Sequence, residues 1–412
     1  MSPFARHWRL DPAVNFLNHG SFGACPTRVL EAQCQLREEM EREPVRFMVE
    51  RLEPLLDEAR AALAPFVNAR PEDLAFVPNA TAAVNAFVRS LTFNAGDELL
   101  TISHAYNACV NVLREASSRT GAKLVIAQVP RFPRTEDEIL DALLEHATPR
   151  TRLVLLCHIT SPTALILPVE RAIRALRQRC PSALILIDGA HAPGMIDVDL
   201  TTLDADAYTA NCHKWICAPK GAAFLHVPQR HQSTLRPHII SHGLNSPRTD
   251  RSRYLLEFDW TGTADYTPYL CIPHALRAMP DIWRTETPAD THLSDRQAWQ
   301  AIQGRNQNLA RDARRLIAAA LNAPLPTPDQ MIGAIAAIPL PPGKGPLPVW
   351  TPNTYPDPLQ NRLVRGHRIQ VPVSHFPAWP ERSVRISAQL HNHQAQYQEL
   401  ADALRNEGEI HP

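Results

Sequence analysis

Seven short aliphatic runs between residues 74 and 227 constrain this chain more than any other feature. They are 74–77 (LAFV), 98–102 (ELLTI), 123–128 (KLVIAQ), 152–157 (RLVLLC), 183–188 (ALILID), 206–210 (DAYTA) and 222–227 (AAFLHV). Strands this apolar bury both faces, as a parallel sheet covered by helices requires. The stretches between the first five read as helices at 80–91, 107–119, 136–146 and 168–179, and such alternation predicts an α/β layered domain. In such sheets ligands sit at the C-terminal ends of the strands, beside helix N-termini. The polar clusters of this chain fall there: Asn79, His104, Asp188 and the pair His213-Lys214.

Outside this core, helices are predicted at 27–43, ended by Pro44, and at 51–64. A long helical stretch at 290–321 leads into a second unit. There residues 324–358 hold 11 Pro in 35 positions around the apolar run 331–338. A further apolar run at 369–373, a strand at 383–388 and a helix at 394–405 complete the chain. We expect an N-terminal arm and helix over 1–50, a large domain over 51–275 and a small C-terminal α+β domain over 276–412.

Composition narrows the function. Lys plus Arg and Asp plus Glu both number 42, a balance that argues against nucleic-acid binding and polybasic membrane contact. No 18-residue apolar run predicts a membrane span and residues 1–12 lack a signal-like apolar segment, so a cytoplasmic protein is expected. The eight Cys include no C-x-x-C pair, which argues against a zinc ribbon or a disulfide framework. No metal site is expected. None of the 15 glycines falls in a dinucleotide or P-loop fingerprint.

The chemistry concentrates in a few residues. Lys214 sits among Cys212, Trp215 and Ile216. It is either a solvated surface residue or a desolvated amine of lowered pKa, as a Schiff-base lysine needs. Asp188 closes a buried strand. It either caps a turn or holds a cationic ring nitrogen in a dry site, with His191 close behind to bond an adjacent oxygen. Asn79-Ala80-Thr81 opens a helix, as a cap alone or as an anion site completed by Asn211, His213 and Thr263. His104 and Tyr106 lie in one loop, as structural residues or as stacking and proton-transfer groups. Arg385, inside an apolar strand, meets either an Asp or Glu of the chain or the carboxylate of an amino acid.

Taken in order, Phe16–Gly23 (FLNHGSFG), Val77–Thr81 (VPNAT), His158–Thr163 (HITSPT), Asp188–Ala192 (DGAHA), His213-Lys214-Trp215, Thr261-Gly262-Thr263 and Arg385-Ile386-Ser387 resemble the class V aminotransferase family of fold-type I pyridoxal 5'-phosphate (PLP) enzymes. The likeness is to its isopenicillin N epimerase-like branch. The resemblance implies that Lys214 carries PLP as a Schiff base, with Asp188 on the ring nitrogen, His191 on the phenolic oxygen and His104 stacked on the ring. It places Ala80, Thr81, Asn211 and His213 around the phosphate, and Thr263 at the phosphate of a neighbouring subunit in a homodimer. Arg385 would hold the carboxylate of a small amino-acid substrate, beside Asn18, His19 and Ser161. Catalysis would fall to Lys214, Asp188, His104 and Tyr106. The implied reaction is epimerisation at Cα. C–S lyase (desulfurase-like) chemistry, transamination and a non-catalytic binding module stand as alternatives. No Cys follows Cys271, where desulfurases of the family carry a reactive one.

Overall fold

All seven apolar runs become strands of one sheet in the computed structural model, which describes residues 2–347, 349 and 351–411. They are β1 (Leu74–Val77), β2 (Glu98–Ile102), β3 (Lys123–Ala127), β4 (Thr151–Cys157), β5 (Leu184–Asp188), β6 (Ala207–Asn211) and β7 (Ala223–His226). Their order is β1-β7-β6-β5-β4-β2-β3. Only β7 runs against its two neighbours, and the other pairings are parallel. Most of these strands are buried along their whole length, whereas edge strand β3 exposes Lys123. A charge on an open edge discourages further strand pairing.

The helices follow their predicted places: α1 (Thr27–Arg42), α2 (Leu52–Phe66), α3 (Ala80–Arg89), α4 (Asn107–Thr120), α5 (Glu136–Glu145) and α6 (Val169–Arg179). Pro44 corrects one expectation. α1 already ends at Arg42, and Pro44 opens the next helical turn, which continues through a π-turn at Phe47–Arg51 into α2. Proline suits a first helical position because that N–H has no partner in the helix. α7 (Ile272–Glu286), which packs on α1 and α2, was not legible in the sequence, because Pro273 and Pro280 interrupt its pattern.

The predicted long helix begins later, as α8 (Asp295–Leu321), where Ser294 and Gln297 form a capping box. The run 331–338 yields β8 (Ile335–Leu340), because residues 329–331 make a 3-10 turn. α9 (Pro358–Gly366) follows. The run 369–373 divides at Pro372: Ile369–Gln370 pairs with Asn15–Phe16, and β9 (Val373–His375) begins the small sheet. That sheet is antiparallel, ordered β9-β10-β8 with β10 at Arg382–Ser387. α8 and the last helix, α10 (Gln394–Asn406), pack together, with α8 against β8.

The N-terminal loop is clamped between the two sheets. Ser387 N–H donates to Leu17 O over 2.9 Å, and Gly20 N–H to Ser387 Oγ over 3.0 Å. Gly23 has φ +69°, and a Cβ there would stand 2.0 Å from His213 O. Glycine alone allows this contact, which presses the loop onto the backbone beside Lys214.

Candidate active site

The C-terminal ends of β5 and β6 and the start of α3 converge on a cavity of about 470 Å³. Thr81, Asp188, His191, Asn211, His213 and Lys214 line it, with Ser21, Tyr106, Ser161 and Arg385 arriving from other segments. Residues 20 to 385 in sequence therefore meet in one space.

Lys214 Nζ lies 3.3 Å from His191 Nε2. Burial first, then the charge of Arg385, pushes the lysine pKa down to about 8. Burial holds His191 well below its usual range, so its ring is neutral. Asp188 Oδ1 accepts from Ala190 N–H over 3.0 Å, and its Oδ2 from the Cys109 thiol over 3.4 Å. Burial raises its pKa. Among the described residues no cation forms an ion pair with it. A carboxylate held this way fits a cationic group arriving with a ligand.

The α3 end of the cavity suits an anion. Asn79 Oδ1 accepts from Ala82 N–H, and Asn211 Oδ1 from Ala80 N–H, each over 2.9 Å. The Thr81 N–H and hydroxyl and the Asn211 side-chain N–H₂ are left as donors at a helix N-terminus. His213 Nδ1 donates to Ala222 O over 2.9 Å. This leaves Nε2 free, while burial pushes the pKa down to about 4. An anion at Nε2 would draw a proton back to it.

Arg385 stands in β10 opposite Ala337 and is 6% exposed. Nη1 donates to Ser161 O (2.7 Å) and Ser161 Oγ (2.9 Å), and Nη2 to Ser21 Oγ (2.9 Å). Nε has no partner, and among the described residues no Asp or Glu forms an ion pair with Arg385. The alternative of an internal salt bridge is thereby removed. Burial lowers the guanidinium pKa to about 10, so a carboxylate is the partner it lacks.

Other predicted residues stand elsewhere. His104 is fully buried. Its Nδ1 is 2.7 Å from Thr163 Oγ1, its Nε2 is 3.1 Å from Pro130 O, and its ring meets Phe376 edge-on. Both nitrogens are occupied and the ring is not on the cavity wall, where Tyr106 stands instead. His19 is likewise buried behind the wall, its Nε2 bonded to Lys214 O over 3.0 Å. Asn18 accepts from Ser21 Oγ over 2.6 Å and stays off the wall. Ala80 lines the cavity, while Thr263 is exposed outside it. Sequence reasoning missed Ser21 and Cys109. Ser21 lay within the flagged loop, whereas nothing in the sequence marks the thiol in the first turn of α4 that touches Asp188.

The donor set asks for a ligand with an anionic group at α3, a cation at Asp188 and a carboxylate at Arg385, with the Lys214 amine in the same cavity. PLP joined to an amino acid has these features: a phosphate, a pyridine nitrogen, an aldehyde carbon for the amine, and the carboxylate of the amino acid. A second chamber of about 480 Å³ adjoins the cavity and shares Tyr106, Ser161 and Arg385 with it.

Comparison with known proteins points to the same cofactor. A family model described as aminotransferase class-V matches residues 23–254. Isopenicillin N epimerase of Amycolatopsis lactamdurans is 32% identical over 410 residues, covering 96% of each chain. A probable chloroplastic L-cysteine desulfhydrase of Arabidopsis thaliana is 27% identical over 425 residues, covering 98% of this chain and 84% of the relative. The cysteine desulfurase of Thermococcus onnurineus NA1 shares the fold, with TM-score 0.75 at 17% identity and 98% of both chains covered. The chain therefore belongs to the class V aminotransferase family of PLP-dependent enzymes, with the fold-type I architecture.

Proposed function

We propose that this chain removes and returns the Cα proton of an α-amino acid, with epimerisation as the net reaction. One observation carries the substrate class: a buried guanidinium without an acidic partner shares its cavity with a buried amine whose pKa is about 8.

Bound PLP supplies an aldehyde for an amine and a conjugated ring that takes up charge from Cα. Asp188 keeps the ring nitrogen cationic, and His191 reaches the phenolic oxygen. Thr81, Asn211 and His213 hold the phosphate, with Ala80 tied in place by Asn211. Arg385, steadied by Ser21 and Ser161, fixes the substrate carboxylate and so orients Cα. Lys214 would hold the aldehyde end of the cofactor, and its buried amine, with a pKa of about 8, is the group placed to move the Cα proton. Tyr106 takes over the role of His104, both as the ring that stacks and as the second proton donor, because its side chain reaches the cavity and the imidazole does not.

The 32% identity to an epimerase over nearly the whole chain supports this net reaction. The 27% identity to a desulfhydrase supports β-elimination as the second reading, since both reactions begin with loss of the same proton. Persulfide chemistry has less to work with. Cys157 is on the wall, but burial pushes its thiol up to about 12, and a thiol is a nucleophile only as thiolate.

Incubation of the holoenzyme with a panel of L-amino acids in D₂O tests the reading. The expected product is Cα-deuterated amino acid of both configurations. Pyruvate with a sulfur product, or a keto acid with pyridoxamine phosphate, in place of inversion would assign the enzyme to elimination or transamination.

A further inference from the structure

We infer that the enzyme selects amino acids with long, uncharged side chains, which extend past Arg385 into the second chamber. The inference rests on the proposed binding of the α-carboxylate by Arg385. Two residues joining the chambers, Arg385 and Ser161, are the carboxylate clamp itself, so a substrate fixed there has its side chain at the mouth of the neighbouring space.

The apolar part of the chamber wall includes Ile102, Val110, Ile126, Pro372 and Phe376, from β2, α4, β3 and the segment around β9. Among the described residues no Asp, Glu or Lys lines it, so a cationic side chain would find no counter-charge on its walls. An anionic one would find only Arg385, already engaged by the α-carboxylate, and His375. The imidazole of His375 is turned to Asp357 (Nε2 to Oδ2, 3.0 Å). A side chain as small as that of alanine or cysteine would leave most of about 480 Å³ unfilled and forgo the contacts of the walls. Ser103, Asn107 and Ser374 add polar groups to this lining, beside Tyr106, Ser161 and Arg385 at the junction with the first cavity.

Calorimetric titration of the holoenzyme with L-norleucine, L-phenylalanine, L-alanine, L-lysine and L-glutamate, paired with Cα exchange in D₂O, tests the inference. Norleucine and phenylalanine are expected to bind and exchange at least about tenfold better than the other three. Ile126→Trp, on the half-buried edge strand, should cut the ratio of norleucine to alanine by about tenfold. Val110→Phe is the second variant, and should cut the same ratio if Ile126→Trp fails to fold. Equal response to alanine or to the charged amino acids, or an unchanged ratio in the folded variants, would overturn the inference and leave the proposed function standing. Silence toward all five would overturn the function and the inference together.

Discussion

The pKa of Lys214 is a consequence of where its amine is kept, and it has a measurable cost. In water the group titrates near 10.5, whereas burial and the Arg385 charge bring it to about 8. Below pH 8 the amine is charged in both the folded and the unfolded chain, and the folded state bears the full penalty of holding the cation. Between pH 8 and 10.5 the folded chain sheds the proton first, so the penalty fades as pH rises. Lys214→Met in the cofactor-free protein should therefore raise unfolding stability at pH 7. The gain is about 2 kcal/mol once the part of the side chain facing solvent in the cavity is discounted. The gain should shrink toward pH 10.5. Urea denaturation at pH 7 and pH 10 measures both values, and a gain independent of pH would contradict the desolvated amine. The sequence made this residue legible through its apolar neighbours Cys212, Trp215 and Ile216. It marked Asp188 equally well, as the acid at the end of an aliphatic run. It did not separate His104 from Tyr106, because two residues in one loop share every local signal and only the tertiary partners Thr163 and Pro130 decide which ring turns away.

At the scale of elements, the site depends on two backbone approaches that letters describe poorly. One is the tie from Asn211 at the end of β6 to the first N–H of α3, which sets the anion-binding helix against the sheet. The other is the contact of Gly23 with the backbone of His213 and Lys214. Gly23→Ala must place a methyl group 2.0 Å from His213 O, at a backbone conformation (φ 69°, ψ 160°) that by itself costs an L-residue about 1–3 kcal/mol. The loop should lift from the lysine segment and loosen both Ser21 and the fold around Lys214. We expect a lower melting temperature and a weaker PLP affinity in fluorescence titration. A variant that matched the wild type in both would show that the contact carries no weight. The elements themselves were readable wherever the pattern was pure. β1 through β7 emerged within a residue or two of their predicted ends, because double-sided burial leaves an unmistakable aliphatic run. α7 escaped notice because its burial, against α1 and α2, coexists with two prolines. Proline at the start of a helix fills a position that needs no N–H, and tertiary packing outweighs the cost of the other.

For the whole molecule, the question is whether one chain suffices to build the site. Its own cavity gathers the N-terminal loop, the ends of three large-sheet strands, the start of α3 and β10 of the small sheet, yet Thr263 stands exposed outside it. The resemblance of Thr261-Gly262-Thr263 to its family's motif implies a place for this residue at the phosphate of a neighbouring subunit, and we propose that its hydroxyl acts in a homodimer. Two measurements follow from that arrangement. Sedimentation equilibrium should give twice the 46.0 kDa chain mass. Thr263→Val should weaken PLP binding about tenfold, the effect of one lost hydrogen bond to a charged group, although the residue touches nothing in the cavity of its own chain. Dilution below the dimer dissociation constant should then erase the difference between variant and wild type, since neither would retain the shared contact. A monomer at all concentrations, or a Thr263→Val protein that binds PLP as tightly as the wild type, would confine the site to a single chain. The phosphate would then rest on Thr81, Asn211 and His213 alone.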